Sequence, residues 1–214
     1  MQTSQHLYMK IMKYILILFF SLLFISCNSK DKRPLIGKTV YQQKLNSVFK
    51  DASKSPLKNK DLKNFKGLDF FPEDSSYIIT ATLKKTPDSP FLGMATNTDE
   101  KSYYREFGIL TFTLKGKEMV LTLYQSLEES ENPIFEDYLF LPFTDETSGG
   151  DSYGGGRYMD VFKSNISTNG TIELNFNNTY NPYCAYNDVY SCPLTPRNNH
   201  LNLKIMAGVK DFKK

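Results

Sequence analysis

The sequence predicts a mainly β protein: a single antiparallel curled sheet, barrel or sandwich-like, with a short N-terminal helix. Three observations predict this class. From residue 77 onward, apolar and polar residues alternate with a period of two, which is the spacing of a half-buried strand. At least seven such short runs occur, without the strand–helix–strand alternation that builds a parallel sheet. The chain has 214 residues, a length that supports one core.

The first element is a lipoprotein signal peptide. Two lysines precede a short apolar run over residues 15–25, and Cys27 follows directly after a small residue. A basic start, a short apolar middle and a small-residue cleavage site are typical of signal peptides, and residues 24–27 resemble a bacterial lipobox. A membrane-spanning anchor is the alternative, but it needs about 20 apolar residues. We therefore expect residues 1–26 to be removed and Cys27 to be lipidated.

Lipidation of Cys27 predicts the location, which is the cell envelope, on the periplasmic or outer-surface side. The membrane, reached through the lipid, is the first predicted partner. Residues 27–39 are polar and are interpreted as a lipid-anchored tether, and residues 40–214 as a single mostly β domain. The formal net charge of the whole chain is only +3, so no nucleic acid partner is expected.

The N-terminal helix is predicted over residues 40–51. Its apolar residues Tyr41, Leu45, Val48 and Phe49 recur at helical spacing, which places them on one face. A short amphipathic helix of this kind is expected to pack on the larger sheet.

Seven strands are predicted from the period of two. They are residues 77–83, 107–114, 119–124, 138–143, 157–162, 171–176 and 201–206. Gly116 and the pair Asn169-Gly170 mark tight turns before the third and the sixth of these strands. Pro142 is expected to close the fourth.

A glycine-rich loop precedes Arg157. Its glycines are Gly149, Gly150, Gly154, Gly155 and Gly156. The N–H groups of consecutive glycines can converge on an anion, and Arg157 can hold a carboxylate or phosphate through two parallel hydrogen bonds. The spacing matches neither a phosphate-binding loop nor a dinucleotide fingerprint. The alternative is a long hairpin loop in which Arg157 pairs with Asp145 or Asp160.

Four acidic residues lie around this loop. They are Asp145, Glu146, Asp151 and Asp160. Their oxygens suit calcium, but their spacing matches no known calcium loop, and a carboxylate pair also suits glycoside cleavage. A solvated acidic loop is the simpler interpretation. A serine hydrolase is not expected, because Gly-x-Ser-x-Gly is absent.

Cys184 and Cys192 are the cysteines that remain once Cys27 is lipidated. An oxidising compartment predicts a disulfide between them, worth about 2.5 kcal/mol for so short a ring. A redox thiol pair, a metal site with His200 and two free thiols are the alternatives. The spacing is not Cys-x-x-Cys, and zinc sites usually contain tighter ligand pairs. Asn181 lies just before this segment and can cap a turn there.

Several strings between residues 140 and 210 occur in the order of a known family. They are LPFTDETSGG at 141–150, YGGGRYMD at 153–160, LNFNNTYNPYCAY at 174–186, CPLTP at 192–196, NHL at 199–201 and AGVK at 207–210. Together they resemble the bacterial and archaeal domain-of-unknown-function family sixteen-eighty-four. That family has no established activity, so the resemblance implies no mechanism. Asn175, Asn178, His200 and Val209 stand where charged residues are common in the family.

The predicted function is a non-enzymatic binding or structural module of the cell envelope, with a small anionic ligand or an envelope component as its partner. An extracytoplasmic hydrolase that uses Arg157 with a nearby carboxylate is the alternative. The candidate binding residues are Asp145, Gly155, Gly156, Arg157, Tyr158, Asn181 and Tyr183. No catalytic residue, metal or cofactor is predicted.

Overall fold

The computed structural model describes residues 37–213. The predicted signal peptide, the lipidation site Cys27 and most of the predicted tether lie outside the described residues. Among the helices of the described part, none is long and apolar enough to cross a membrane.

Over residues 37–213 the chain forms three short α-helices and eight strands. The helices are α1 (Val40–Lys50), α2 (Asn59–Lys63) and α3 (Leu127–Glu131). The strands are β1 (Ile78–Lys85), β2 (Leu92–Ala95), β3 (Lys101–Leu114), β4 (Lys117–Ser126), β5 (Tyr138–Asp145), β6 (Arg157–Phe162), β7 (Thr171–Asn175) and β8 (His200–Leu201). Short 3-10 turns lie at Ser75–Tyr77, Lys163–Asn165, Phe176–Asn178 and Tyr183–Ala185.

The strands form one curled sheet, a half-barrel, in the order β6-β5-β4-β3-β1-β7. Every pairing along this path is antiparallel. Strand β2 adds to β3 in the antiparallel sense, and β8 adds to β5 in the parallel sense. The predicted fold class is therefore confirmed.

Helix α1 confirms the predicted N-terminal helix. The Thr39 hydroxyl accepts a hydrogen bond from the backbone N–H of Gln42 at 3.2 Å, which is how a threonine caps a helix start. The buried ring of Phe49 packs edge-on against Tyr186, with ring centroids 4.7 Å apart. This contact holds α1 against the segment around residue 186.

The turn between β3 and β4 also matches the prediction. Lys115 and Gly116 both have positive φ values, 49° and 77°, as in the two-residue turns that hairpins favour. Gly116 supplies such an angle without steric cost.

Strands β4 and β5 pair only at Tyr124 and Phe140. Beyond that pair, the side chain of Asn199 lies between them. Its amide accepts from the N–H of Thr122 and donates to the carbonyls of Thr122 and Pro142, each at 2.8 Å. The side-chain amide of Asn199 thus pairs with backbone groups of β4 and β5 that have no partner in a strand ladder.

The prediction that Pro142 closes its strand is wrong. Strand β5 continues to Asp145. A proline lacks a backbone N–H, but at Pro142 the neighbouring strand β4 has already diverged, so no donor is required on that side.

Some of the predicted elements also differ in extent. Strand β2 and helix α3 are not predicted from the sequence, and β3 begins six residues before the predicted residue 107. Of the predicted strand 201–206, only Leu201 pairs in a ladder, as the second residue of β8 (His200–Leu201). The remainder is held by side chains, since Ile205 donates its N–H to Asp145 and offers its carbonyl to Arg157. Its alternating pattern therefore reflects burial rather than strand pairing.

The pairing of β5 with β6 determines which side chains face the core. Leu139 lies opposite Val161, and Leu141 lies opposite Met159. All four are buried in the main core. Because successive side chains of a strand alternate between faces, the residues between these four point to the outer face of the sheet.

Candidate functional site

Strand β6 separates the predicted binding residues into two groups. Arg157 lies opposite Phe143 on the core side, whereas Tyr158 lies opposite Pro142 on the outer side. Asp145 is also a core-facing residue of β5. Its side chain therefore contacts Arg157 on the core side of the sheet. The predicted site is thus divided between the two faces.

Arg157 is an interior residue, with 1% of its surface exposed. Its guanidinium donates to Asp145 Oδ2 and to the carbonyl of Ile205, both at 2.9 Å, and also to the carbonyl of Ala207. Burial lowers the pKa of Arg157, and the charge of Asp145 opposes that change. The pairing with Asp145, which the sequence left as an alternative, is the one present here. It leaves neither side chain accessible to a ligand.

Three of the five N–H groups of the glycine loop are used in internal hydrogen bonds, namely those of Gly149, Gly150 and Gly156. The N–H of Gly149 donates to Ser152, and that of Gly156 donates to Tyr153. Gly156 has a φ of +93°, and a Cβ there would lie 2.5 Å from the carbonyl oxygen of Phe143. The Gly155 carbonyl accepts a hydrogen bond from the Thr195 hydroxyl at 3.0 Å. These glycines allow close packing of the loop.

The remaining predicted sites are also accounted for by internal contacts. Asn181 is buried and donates to the carbonyl of Lys210 at 2.9 Å. The calcium set around Asp145 does not assemble, since no group of three or more metal-ligating side chains lies together within residues 37–213. The side chain of Asn175 accepts a hydrogen bond from the N–H of Asn177 and so caps the turn there, and Val209 is a core residue.

The predicted disulfide is absent, and Cys184 and Cys192 are free thiols. They are neighbours held by hydrogen bonds: the N–H of Cys184 donates to the sulfur of Cys192 at 3.2 Å. A hydrogen bond from the Cys192 thiol lowers the pKa of Cys184 to about 7. The same contact, followed by burial, raises the pKa of Cys192. The structure therefore does not show the predicted disulfide.

A pocket of about 460 Å³ lies on the outer face of the sheet. We call it the outer pocket. Strands β3, β5 and β6 form its floor, helix α1 forms one wall, and the segment 180–193 forms the other. Its main lining residues are Tyr41, Lys44, Tyr104, Tyr138, Phe140, Tyr158, Asp160, Tyr180, Tyr183, Tyr190 and Cys192. Two predicted binding residues, Tyr158 and Tyr183, are among them.

Backbone pairing positions the wall of the outer pocket. Tyr158 and Tyr180 exchange backbone hydrogen bonds of 2.8 and 3.0 Å across the free edge of β6. The Tyr158 hydroxyl donates to the carbonyl of Pro193. Both ends of the segment 180–193 are thereby fixed to the sheet.

The floor of the outer pocket is a set of rings at steep angles to one another. Phe140 and Tyr158 pack edge to face, with centroids 4.6 Å apart and planes at 83°. Tyr180 packs against Tyr158 in the same way at 6.0 Å, and Tyr104 packs tilted on Phe140 at 5.3 Å. The rings enclose space because they are crossed rather than stacked.

One carboxylate, that of Asp160, faces the aromatic lining of the pocket. Asp160 lies directly opposite Phe140 in the sheet and is exposed within the pocket lining. Its Oδ1 accepts hydrogen bonds from the hydroxyl of Tyr138 at 3.0 Å and from the hydroxyl of Tyr180. Two phenols thus fix the orientation of the carboxylate.

Six tyrosines of the outer pocket have a raised pKa, and the four that lie on the sheet or pair with it are called the pocket tyrosines. These pocket tyrosines are Tyr104, Tyr138, Tyr158 and Tyr180. Burial is the main cause in each case, and nearby carboxylates add to it for three of them. Their phenols therefore stay protonated and act as hydrogen-bond donors.

A second carboxylate lies close to the outer pocket. Burial raises the pKa of Glu129 in helix α3, and the charges of Asp160 and Glu128 raise it further. Lys44 of α1 is the lysine in the lining. The lining itself contains one acidic side chain, Asp160, and one basic side chain, Lys44.

The fold and the pocket define a class of protein: a curled β half-barrel with an aromatic pocket on its outer face. The sequence matches the family "Protein of unknown function (DUF1684)" over residues 63–210. The chain therefore belongs to this family, and the predicted resemblance is confirmed.

The chain is also similar to a solved structure of an uncharacterized protein from Haloarcula marismortui, determined by solution NMR. The two are 32% identical, the match covers 79% of this chain and 89% of that one, and the TM-score is 0.62. No curated protein matches the sequence. The comparisons thus identify the family and the fold without an activity.

Proposed function

We propose that this protein is a cell-envelope lipoprotein, held at the membrane through lipid on Cys27, whose β domain is a non-enzymatic binding module. The ligand site is the outer pocket. The observation that supports it is a cavity of about 460 Å³ in which tyrosine rings surround an exposed carboxylate. Small-molecule sites are typically 300–1,000 Å³ and combine an apolar lining with few polar groups.

The hydrolase alternative has lost its main support. It depends on Arg157 acting with a carboxylate in an open cleft, and Arg157 is buried with Asp145 and three backbone carbonyls. The anion site expected at the glycine loop has lost its support for the same reason. We therefore do not retain either proposal.

Binding in the outer pocket is tested with a substitution that fills it. Ser191 lines the pocket and is exposed. A mixture of small aromatic and aliphatic compounds is screened by ligand-observed NMR, with Ser191→Trp compared with Ser53→Trp, an exposed serine outside the lining. We expect binding to the wild type and to Ser53→Trp, and none to Ser191→Trp. Equal binding by all three proteins would refute the site.

The location is tested separately. Cells that process bacterial lipoproteins are grown with labelled palmitate, and the wild type is compared with Cys27→Ser. We expect label in the membrane fraction for the wild type alone. Unlabelled, full-length wild-type protein in the cytosol would contradict the proposed anchoring.

A further inference from the structure

The outer pocket combines aromatic faces with one carboxylate, Asp160, that forms no ion pair with a lysine or arginine of residues 37–213. We propose that it binds an organic cation, an alkylammonium group of the quaternary ammonium type. This inference rests on the proposed binding function and specifies the chemical class of the ligand. Ring faces carry negative electrostatic potential and attract such cations, most strongly where water is excluded.

Asp160 supplies the full negative charge. Its Oδ1 accepts from Tyr138 and Tyr180, and both donors are neutral. Within residues 37–213 no lysine or arginine forms an ion pair with Asp160, and no hydrogen bond to its Oδ2 is present. The charge is therefore oriented by the protein but left for a ligand to neutralise.

The rings supply the second attraction. Phe140 lies opposite Asp160 in the sheet, Tyr158 packs against Phe140 edge to face, and Tyr104 packs on it at a tilt of 37°. A bulky, weakly hydrated ammonium group can contact several rings at once, whereas a compact hydrated metal ion cannot. Chemistry of this kind favours a methylated or alkylated nitrogen.

The charge of the pocket lining also favours a cationic ligand. Asp160 is the acidic side chain of the lining, and its charge attracts cations to the opening. Lys44 opposes this effect but is exposed on α1. An anionic ligand, as expected from the glycine loop, would meet Asp160 directly and be repelled.

The test compares a cation with its neutral isostere. The full chain, in a non-ionic maltoside detergent, is titrated with choline and with 3,3-dimethyl-1-butanol, in which carbon replaces the quaternary nitrogen. We expect choline to bind at least about tenfold more tightly, because its charged nitrogen is attracted by the ring faces and by Asp160, whereas the neutral isostere is not.

Matched variants separate charge from shape. Asp160→Asn keeps an acceptor for both tyrosine hydroxyls, so the pocket stays folded while the charge is lost. We expect it to weaken choline binding about tenfold and to leave the isostere unchanged. Asp88→Asn, an exposed aspartate outside the lining, should change neither. Tyr183→Leu should weaken choline binding, whereas Tyr103→Leu, an exposed tyrosine that does not line the outer pocket, should not.

The outcomes distinguish this inference from the proposed function. Equal affinity for choline and the isostere would overturn the cation inference and leave pocket binding intact. No binding of choline or tetramethylammonium would also overturn it, while the compound screen with Ser191→Trp would still decide whether the pocket binds anything. A short-chain phosphatidylcholine below its micelle concentration identifies the source: tighter binding than choline indicates a lipid headgroup, and weaker binding indicates a free solute.

Discussion

The buried pair of Arg157 and Asp145 gives the sharpest prediction about stability. The exposed fractions of the two side chains are 1% and 0%, so solvent does not screen either charge. Asp145→Asn would leave the guanidinium charged and buried beside a neutral amide. Breaking a buried ion pair in this way typically costs about 3–5 kcal/mol, and we expect a loss of that size in the free energy of unfolding.

Arg157→Met should cost a comparable amount for a different reason. It would leave Asp145 charged and the carbonyls of Ile205 and Ala207 without donors, and each buried orphan costs about 1–3 kcal/mol. The double substitution should cost at least about 2 kcal/mol less than the sum of the two single losses, because each single change leaves its partner unpaired.

Urea unfolding followed by circular dichroism measures all four proteins of this cycle. An exposed pair serves as the control: Lys58 and Asp188 lie 2.7 Å apart at the surface, and pairs of that kind contribute about 0–1 kcal/mol. Single losses below about 1 kcal/mol at Arg157 and Asp145, with simple additivity, would refute the buried pair. The glycine loop would then return as a candidate site.

Four further predictions follow from the structure. In urea unfolding, Gly208→Ala should destabilise the protein by well over 2 kcal/mol and Gly116→Ala by about 1–2 kcal/mol. Both glycines have φ values near +78°, but only at Gly208 would an added Cβ collide with neighbouring atoms. Equal losses of stability would contradict this explanation. Asn199→Leu should cost about 3–5 kcal/mol in the same assay, because three buried strand groups lose their partner; a loss under 1 kcal/mol would contradict the bridge. In reduced protein, iodoacetamide should modify Cys184 with a midpoint near pH 7, and Cys192→Ala should move that midpoint upward; an unchanged midpoint would exclude the thiol hydrogen bond. The pocket tyrosines keep their protons when folded and lose them when unfolded above pH 10, so the free energy of unfolding should fall above that pH by about 1.4 kcal/mol per unit and tyrosine; a free energy of unfolding that does not change above pH 10 would disprove it.

Local patterns predict much of this fold. Strand β6 has its predicted bounds and α1 begins at its predicted residue, because period and capping are properties of neighbouring residues. The predicted strand 201–206 is mostly wrong, because its partner is the side chain of Arg157, 48 residues away from Ile205. A pattern of burial does not distinguish a ladder from a segment held by side chains.

The candidate site is predictable only in part. The choice of Arg157 and Asp145 identifies residues that do interact, but their direction into the core depends on how β5 pairs with β6. The sequence does contain a pattern that could have predicted the outer pocket. Tyr138, Phe140 and Tyr158 occupy the outward positions of β5 and β6, and the inward positions of these strands are also apolar. Aromatic residues on both faces indicate that something covers the outer face as well.

The carbonyls that Arg157 holds lie 48 to 52 residues downstream of it. A nascent polypeptide must therefore extend about 50 residues beyond this arginine before the cation finds its acceptors. Asp145 precedes the arginine and can neutralise its charge from the start, but the carbonyls that complete its burial arrive only with residues 205–209. The sheet can therefore close over this side chain only after that segment has been made.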